Sequence, residues 1–416
     1  MQDTPIDLRV TQEGTEHGIT RRLYLEGMRD KQRPRLEIFF EMLGEKDIPP
    51  PPVLDGFIFG IILRAMRLRQ NVRVHGALSR DALLNVHEFQ EAWALWKPEV
   101  YSKVRILPSD VLDSLAPATP SESLAAFSGG VDSVFTALRH RTKQLGNASY
   151  PLNDAVIMVH GFDVPLDAPE HLAVLQDRTK PLLDELDLRL ITIRTNLKAA
   201  TRQDWGDSFM AQLACCLHNY AHKYRYGLAG SSEPYNALIL PWGSSPATDH
   251  LLSGAAMRLV HDGAGYSRTA KVAYLAKHET AIRVLKVCWE GKETFKNCGA
   301  CEKCIRTQLN FLAAGMSHAP CFDAPFDTAK ISSIALRNDV QCAELMSIYK
   351  YAAAEGRDEP WMHLLKARLD AYRPSGPFQR LAKTYGARLS RITRRANKLV
   401  SGGIQAAQKN GSQASS

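Results

Sequence analysis

Two short stretches carry the residue types that could do chemistry. In Phe127-Ser128-Gly129-Gly130-Val131-Asp132-Ser133, paired glycines without a Cβ let the backbone approach an anion, while Ser128 and Ser133 offer hydroxyls and Asp132 a carboxylate. A helix opening at Ser133 adds amides that lack partners and carry partial positive charge, which favours phosphate. Asp132 is then expected to position a magnesium ion beside the phosphates. The competing reading is a plain strand-to-helix turn capped by Ser or Asp. The loop lacks the Lys-Ser/Thr ending of the ordinary triphosphatase loop, so that class is excluded. The second stretch holds Cys288, Cys298, Cys301 and Cys304 in the spacing C-x9-C-x2-C-x2-C. Four thiolates so spaced complete a tetrahedral zinc shell with no position left for water, and the metal is expected to be structural. An iron–sulfur cluster takes the same ligands, and a chance cluster of reduced thiols is the third reading.

These residues need a scaffold. After residue 120 the pattern is one of apolar strands (124–127, 155–159, 188–193, 226–229 and 257–260) separated by helical segments (134–145, 169–186 and 208–224). Apolar strands alternating with helices predict an α/β fold, a parallel sheet covered by helices on both faces. In such sheets ligands sit at the carboxyl ends of the strands. The loops there are SGGVDS, His160-Gly161-Phe162-Asp163, Gly230-Ser231-Ser232 and His261-Asp262-Gly263. His160 and Asp163 are candidates for acid–base work, with a loop hydrogen bond as the plainer role for His160. The loop Trp242 to His250 either closes over a substrate or is an ordinary connection.

Residues 1–120 read as a small α+β domain of unknown role, with alternating stretches at 22–26 and 71–75 and a helix over 80–96. The run Pro49 to Pro52 is expected to be an extended connection. Residues 116–123 read as a linker, 121–320 as the loop-bearing domain, 321–372 as a helical extension and 373–416 as a basic amphipathic helix with a polar tail. That tail holds nine basic residues and no acid. Without them the chain has 43 Lys and Arg against 44 Asp and Glu, so the net charge of +8 belongs to the tail. It suits a phosphate backbone, an anionic membrane face, an acidic partner or its own domain. Gly56 to Met66 is apolar but broken by Arg64, short of the roughly 20 residues a bilayer needs. With no secretory signal pattern either, a cytoplasmic location is expected. Cys215, Cys216, Cys321 and Cys342 are read as core residues.

The string Ala126 to Ser133 resembles the PP-loop of the N-type ATP pyrophosphatases, which split ATP into AMP and pyrophosphate. Within that superfamily, Val287-Cys288-Trp289-Glu290-Gly291, Asn297 to Arg306 and Phe311 to Gly315 resemble the zinc segment of the 7-cyano-7-deazaguanine synthases; the likeness spans roughly residues 124 to 316. The resemblance implies ATP, Mg2+ and Zn2+ as cofactors and an adenine-nucleotide hydrolase-like domain. It implies an ATP-dependent ligase that adenylates a carboxylate on a deazaguanine-like base for amide or nitrile formation. Phe127, Ser128, Gly129, Gly130, Val131, Asp132, Ser133, His160, Gly161, Gly230 and Ser231 would then hold the nucleotide. Asp132, Arg268 and Lys271 would act in catalysis, the two cations facing the phosphates. The chain departs from that family in its added first domain, in Val131 and in the sequence after the second strand. These departures leave room for a tRNA-modifying or sulfur-transfer enzyme, or for one joining a base to a protein partner, with the first domain and basic tail as contact surfaces. A non-enzymatic nucleotide-binding module is the remaining class.

Overall fold

The computed structural model describes residues 4–115, 122–288, 296–332, 334, 336 and 339–372. The basic tail, most of the expected linker and the Trp289-Glu290-Gly291 stretch lie outside the described residues.

The first part of the chain forms strands β1 (Ile6–Thr15), β2 (Gly18–Glu26) and β3 (Leu36–Leu43), helix α1 (Asp55–Leu68), strand β4 (Val72–Ser79), helix α2 (Arg80–Trp96) and strand β5 (Ile106–Leu112). Ser79 starts α2 by accepting a hydrogen bond from the Ala82 amide, which satisfies one orphan donor of the first turn. The apolar run around Arg64 is α1, a helix buried on nearly all sides. The charge of Arg64 is carried inside by Asp30 at 2.8 Å and the Thr201 carbonyl at 2.6 Å.

The remainder alternates strand and helix: β6 (Ser123–Ala126), α3 (Val131–Arg141), β7 (Ala155–His160), α4 (Pro169–Glu185), β8 (Arg189–Thr195), α5 (Leu197–Thr201), α6 (Trp205–His218), β9 (Tyr226–Gly230) and β10 (Arg258–Asp262). Helices α7 (Arg268–Leu275), α8 (Glu279–Val284), α9 (Glu302–Ala313), α10 (Asp339–Ala354) and α11 (Pro360–Asp370) follow. Strands β6 to β10 are all parallel, in the order β10-β9-β6-β7-β8. The chain leaves β6 toward β7 on one side and returns to β9 on the other. The crevice at the carboxyl ends of β6 and β9 is therefore a topological switch point, where open α/β sheets take their ligands. Helices α3, α4, α7, α8 and α9 cover one face. Helices α1 and α6 share the apolar cluster on the other.

The expected separation of 1–120 from 121–320 gives way to one ten-stranded sheet. β3 pairs antiparallel with β8, with Phe40 opposite Thr195 and Met42 opposite Ile193, and one core cluster takes side chains from both parts. The whole sheet is mixed, with six parallel and three antiparallel pairings, while the pairings among β6 to β10 are all parallel, as expected for the strands after residue 120. A strand edge carries no mark of its distant partner, so local pattern could not reveal this join. The expected helix over 134–145 begins earlier, at Val131, and ends at Arg141; that over 208–224 runs from Trp205 to His218. In the latter, Asp204 caps the start by accepting from the Asp207 amide. Among the described residues no helix is long and apolar enough to cross a membrane.

Candidate functional site

The loop from Phe127 to Gly130 joins β6 to α3. Gly129 has φ +72°, a conformation that costs an L-residue with a Cβ, and Gly130 is the N-cap. No side chain caps this helix, so the first amides of α3 stay available to an anion. The two hydroxyls brace the turn: the Ser128 amide donates to Ser133 Oγ at 3.1 Å, and Ser133 Oγ donates to the Gly130 carbonyl at 3.1 Å. Ser133 lies inside the first turn rather than opening the helix.

Asp132 does not stand as a free carboxylate. Arg268 Nη1 reaches Oδ2 at 2.7 Å and Lys271 Nζ reaches Oδ1 at 3.0 Å. Burial opposes ionisation here, but the two cations hold the carboxyl below the usual carboxylate range. Each carboxylate oxygen of Asp132 therefore already accepts from one cation. Lys271 also donates to the Ser231 carbonyl at 2.5 Å and to its hydroxyl at 3.1 Å, so it links α7, α3 and the end of β9 within the protein. Of the two cations expected to face phosphate, Lys271 is buried and Arg268 lies at the wall of a small neighbouring cavity.

A cavity of about 370 Å³ opens over the carboxyl ends of β6, β7 and β9. Its polar wall includes Ser128, Asp132, Ser133, Gly230 and Ser232. Gly230 is needed because a Cβ there would meet the Asp132 carbonyl at 2.6 Å. The opposite wall is aromatic, built by Phe162, Trp205, Phe209 and Trp242 in edge and tilted contacts 5.0 to 6.1 Å apart. Lys198 Nζ lies 4.1 Å from the Trp205 ring centre while donating to the Phe162 carbonyl, which fixes that wall. The Trp242 loop is anchored by buried Asp249, which accepts from Ser244 Oγ, the Ser245 amide and His261 Nδ1 at 2.6 to 2.8 Å.

Three expected ligand-facing residues are placed otherwise. His160 is buried, its Nε2 bonded to the Pro165 carbonyl at 2.9 Å, and holds a loop rather than lining the cavity. Gly161 packs against the Thr195 carbonyl. Ser231 is fully buried on Lys271, and its neighbour Ser232 reaches the cavity instead.

The four cysteines come together. Their Sγ atoms all lie within 4.8 Å of one another, with Cys288 to Cys301 at 3.9 Å and Cys298 to Cys304 at 3.8 Å. A tetrahedron with Zn–S bonds of about 2.3 Å has edges of about 3.8 Å, so the donor set fits one ion. Buried Asn297 staples this segment: its Oδ1 accepts from the Val287 and Cys288 amides, and its Nδ2 donates to the Leu285 and Cys321 carbonyls. Lys286, two residues before Cys288, donates its amide to the Gly129 carbonyl at 2.8 Å. The cysteine segment thus rests directly on the glycine loop. Cys215, Cys216 and Cys321 are buried as expected; Cys342 is half-buried on α10.

Cys301 is the N-cap of α9, and the helix carries Lys303 and Arg306 on one face, a turn apart. Arg306 pairs with Glu302 and Glu344, and its pKa falls to about 10 through burial and the nearby Arg268. Burial, then Arg268, lowers the pKa of Lys303, while Asp132 and Asp163 act on it in the opposite sense. Glu233 lies in the same charge field, its pKa raised by burial. Sequence reasoning did not single out Lys303, Arg306, Glu233 or the Trp205–Phe209 wall. The three-residue spacing of Lys303 and Arg306 immediately after Cys301 was the available signal. No family model matches the sequence, and no curated protein matches it.

Proposed function

We propose that the chain is an ATP-dependent, adenylate-forming ligase. The carrying observation is the uncapped start of α3, set behind a left-handed glycine at the switch point of the sheet and opening on a cavity with one polar and one aromatic wall. In this reading the amides of Gly129 to Ser133 receive the two phosphoryl groups that leave as pyrophosphate. Arg268 and Lys303 offset charge that develops on them, and the aromatic wall receives a planar ring and keeps water out. Magnesium would accompany ATP's phosphates and offset their charge. Asp132 acts by holding Arg268 and Lys271 in place. Cys288, Cys298, Cys301 and Cys304 would hold zinc, which would cross-link the start of α9 and so support the placement of Lys303.

The acyl substrate in this reading is a carboxylate on a deazaguanine-like base. Adenylation turns its poor leaving group into AMP, which an amine then displaces to form an amide. The test is to incubate the protein with ATP, magnesium and candidate acids and to identify the products by mass spectrometry. Release of pyrophosphate and AMP is expected. Orthophosphate release, or no turnover with deazaguanine acids, tRNA and protein acceptors alike, would overturn the reading.

A further inference from the structure

A second cavity, of about 600 Å³, lies at the other end of the strands. It is bordered by Arg225, which immediately precedes β9, and by the end of α6. In its wall is Arg21 of β2, 1% exposed, whose guanidinium meets only neutral acceptors. Nε donates to Gln12 Oε1 at 2.8 Å, Nη1 to the Asn219 carbonyl and Oδ1 at 2.9 and 3.1 Å, and Nη2 to the Pro49 carbonyl at 2.8 Å. Among the described residues no carboxylate pairs with it. Burial pulls its pKa down to about 10, and only the Tyr220 hydroxyl opposes this. Buried Arg64 and Arg139, by contrast, each have an aspartate, Asp30 and Asp262. A buried charge without a counter-ion is costly, and the counter-ion it lacks can come from a ligand.

The rest of the cavity agrees in sign. Arg225 and His222 add donors, and His222 Nδ1 is buried without a partner. Among the described residues the one acid in the wall, Asp55, accepts from the Ser79 amide and hydroxyl at 2.8 and 2.6 Å. One Nη2 hydrogen of Arg21 remains unassigned after the bonds above, so Arg21 retains a donor for one oxygen of a carboxylate, and His222 protonated on Nδ1 would supply a second. His218 also lines the cavity, and the remaining wall is mostly apolar, with the Pro49 to Pro52 run, Phe57 and Cys215 among its residues. We propose that this cavity binds a monocarboxylic acid with an apolar body, its carboxylate paired with Arg21 and its body lying along the proline run.

Isothermal titration of the full chain with decanoate, decanol and decyl phosphate tests this. Decanoate is expected to bind one per chain, at least tenfold more tightly than decanol. Arg21→Met should remove that preference, and Ala256→Trp, which fills the cavity and leaves Arg21 in place, should abolish binding. The wild-type comparison stands even where Arg21→Met fails to fold. Equal affinity for decanol, tighter binding of decyl phosphate, unchanged affinity in Ala256→Trp or no binding of decanoate would each overturn the assignment.

Discussion

At the carboxyl ends of the parallel strands, Arg268 and Lys271 close on Asp132 and Arg306 on Glu302 and Glu344, leaving the backbone amides of a glycine turn open to an anion. At the amino ends, Arg21 is buried among neutral oxygens while the backbone around it is regular strand. In the proposed reading the first end takes a polyanion, whose many oxygens suit a row of amides, and the second a single charge, which one guanidinium can offset. Burying a paired charge is costly and burying an unpaired one more so, and an unpaired buried cation persists only where packing leaves it no exit to water.

Breaking the first end at its metal segment should have the largest effect. Cys301→Ser is expected to lower bound metal from about one per chain toward zero and to lower the melting temperature, because metal binding in closed thiolate sites is itself folding energy. Metal analysis and calorimetry on the same preparation check this; full metal content would refute the ligand set. Next, Asp132→Ala leaves Lys271, whose side chain is 1% exposed, as a buried charge without its partner. A loss of about 3 kcal/mol in denaturant stability is expected, together with loss of pyrophosphate release. Arg21→Met removes hydrogen bonds but strands no charge, so its cost should be smaller, about 1 kcal/mol. Equal losses for these two variants would erase the contrast drawn between the ends.

Gly129→Ala places a Cβ at φ +72°, 3.1 Å from Thr179 Cγ2, and should cost about 1–2 kcal/mol while weakening nucleotide binding. Decanoate binding at the other end should be unchanged. The smallest effect concerns pH. Burial lowers the His218 pKa to about 4, so its neutral form is favoured in the folded chain and its proton is bound first by the unfolded one. Its stabilising contribution is complete above the unfolded pKa of 6.5 and is lost as pH falls toward about 4. His218→Phe should therefore lose less stability than the wild type between pH 7 and 4.5, as read from urea midpoints.

Much of the loop-bearing part was legible because its strands are short apolar runs between turn residues; all five expected strands are present within two residues of their expected ends. The cysteine cluster was legible for a similar reason, since two x2 steps bring three of the four thiols together locally. Residues whose role depends on a distant neighbour were less legible. Lys271 reads as a phosphate contact until the structure shows Ser231 and Asp132 around its ammonium. Arg21 precedes the alternating stretch at 22–26 and carries no mark of its own in the sequence; only the structure places Asn219, 198 positions away, against it.

The amino-acid sequence alone determined the order of elements, the turn that must take a left-handed glycine and the set of four thiols. These depend on backbone sterics and on donors close together along the chain. Only the tertiary structure decided that β3 joins β8 into one sheet, that Asp132 is already paired and that Arg21 is buried without an acid. Strand pairing and charge compensation are settled by whichever residues meet across the core, and no local spacing encodes that meeting.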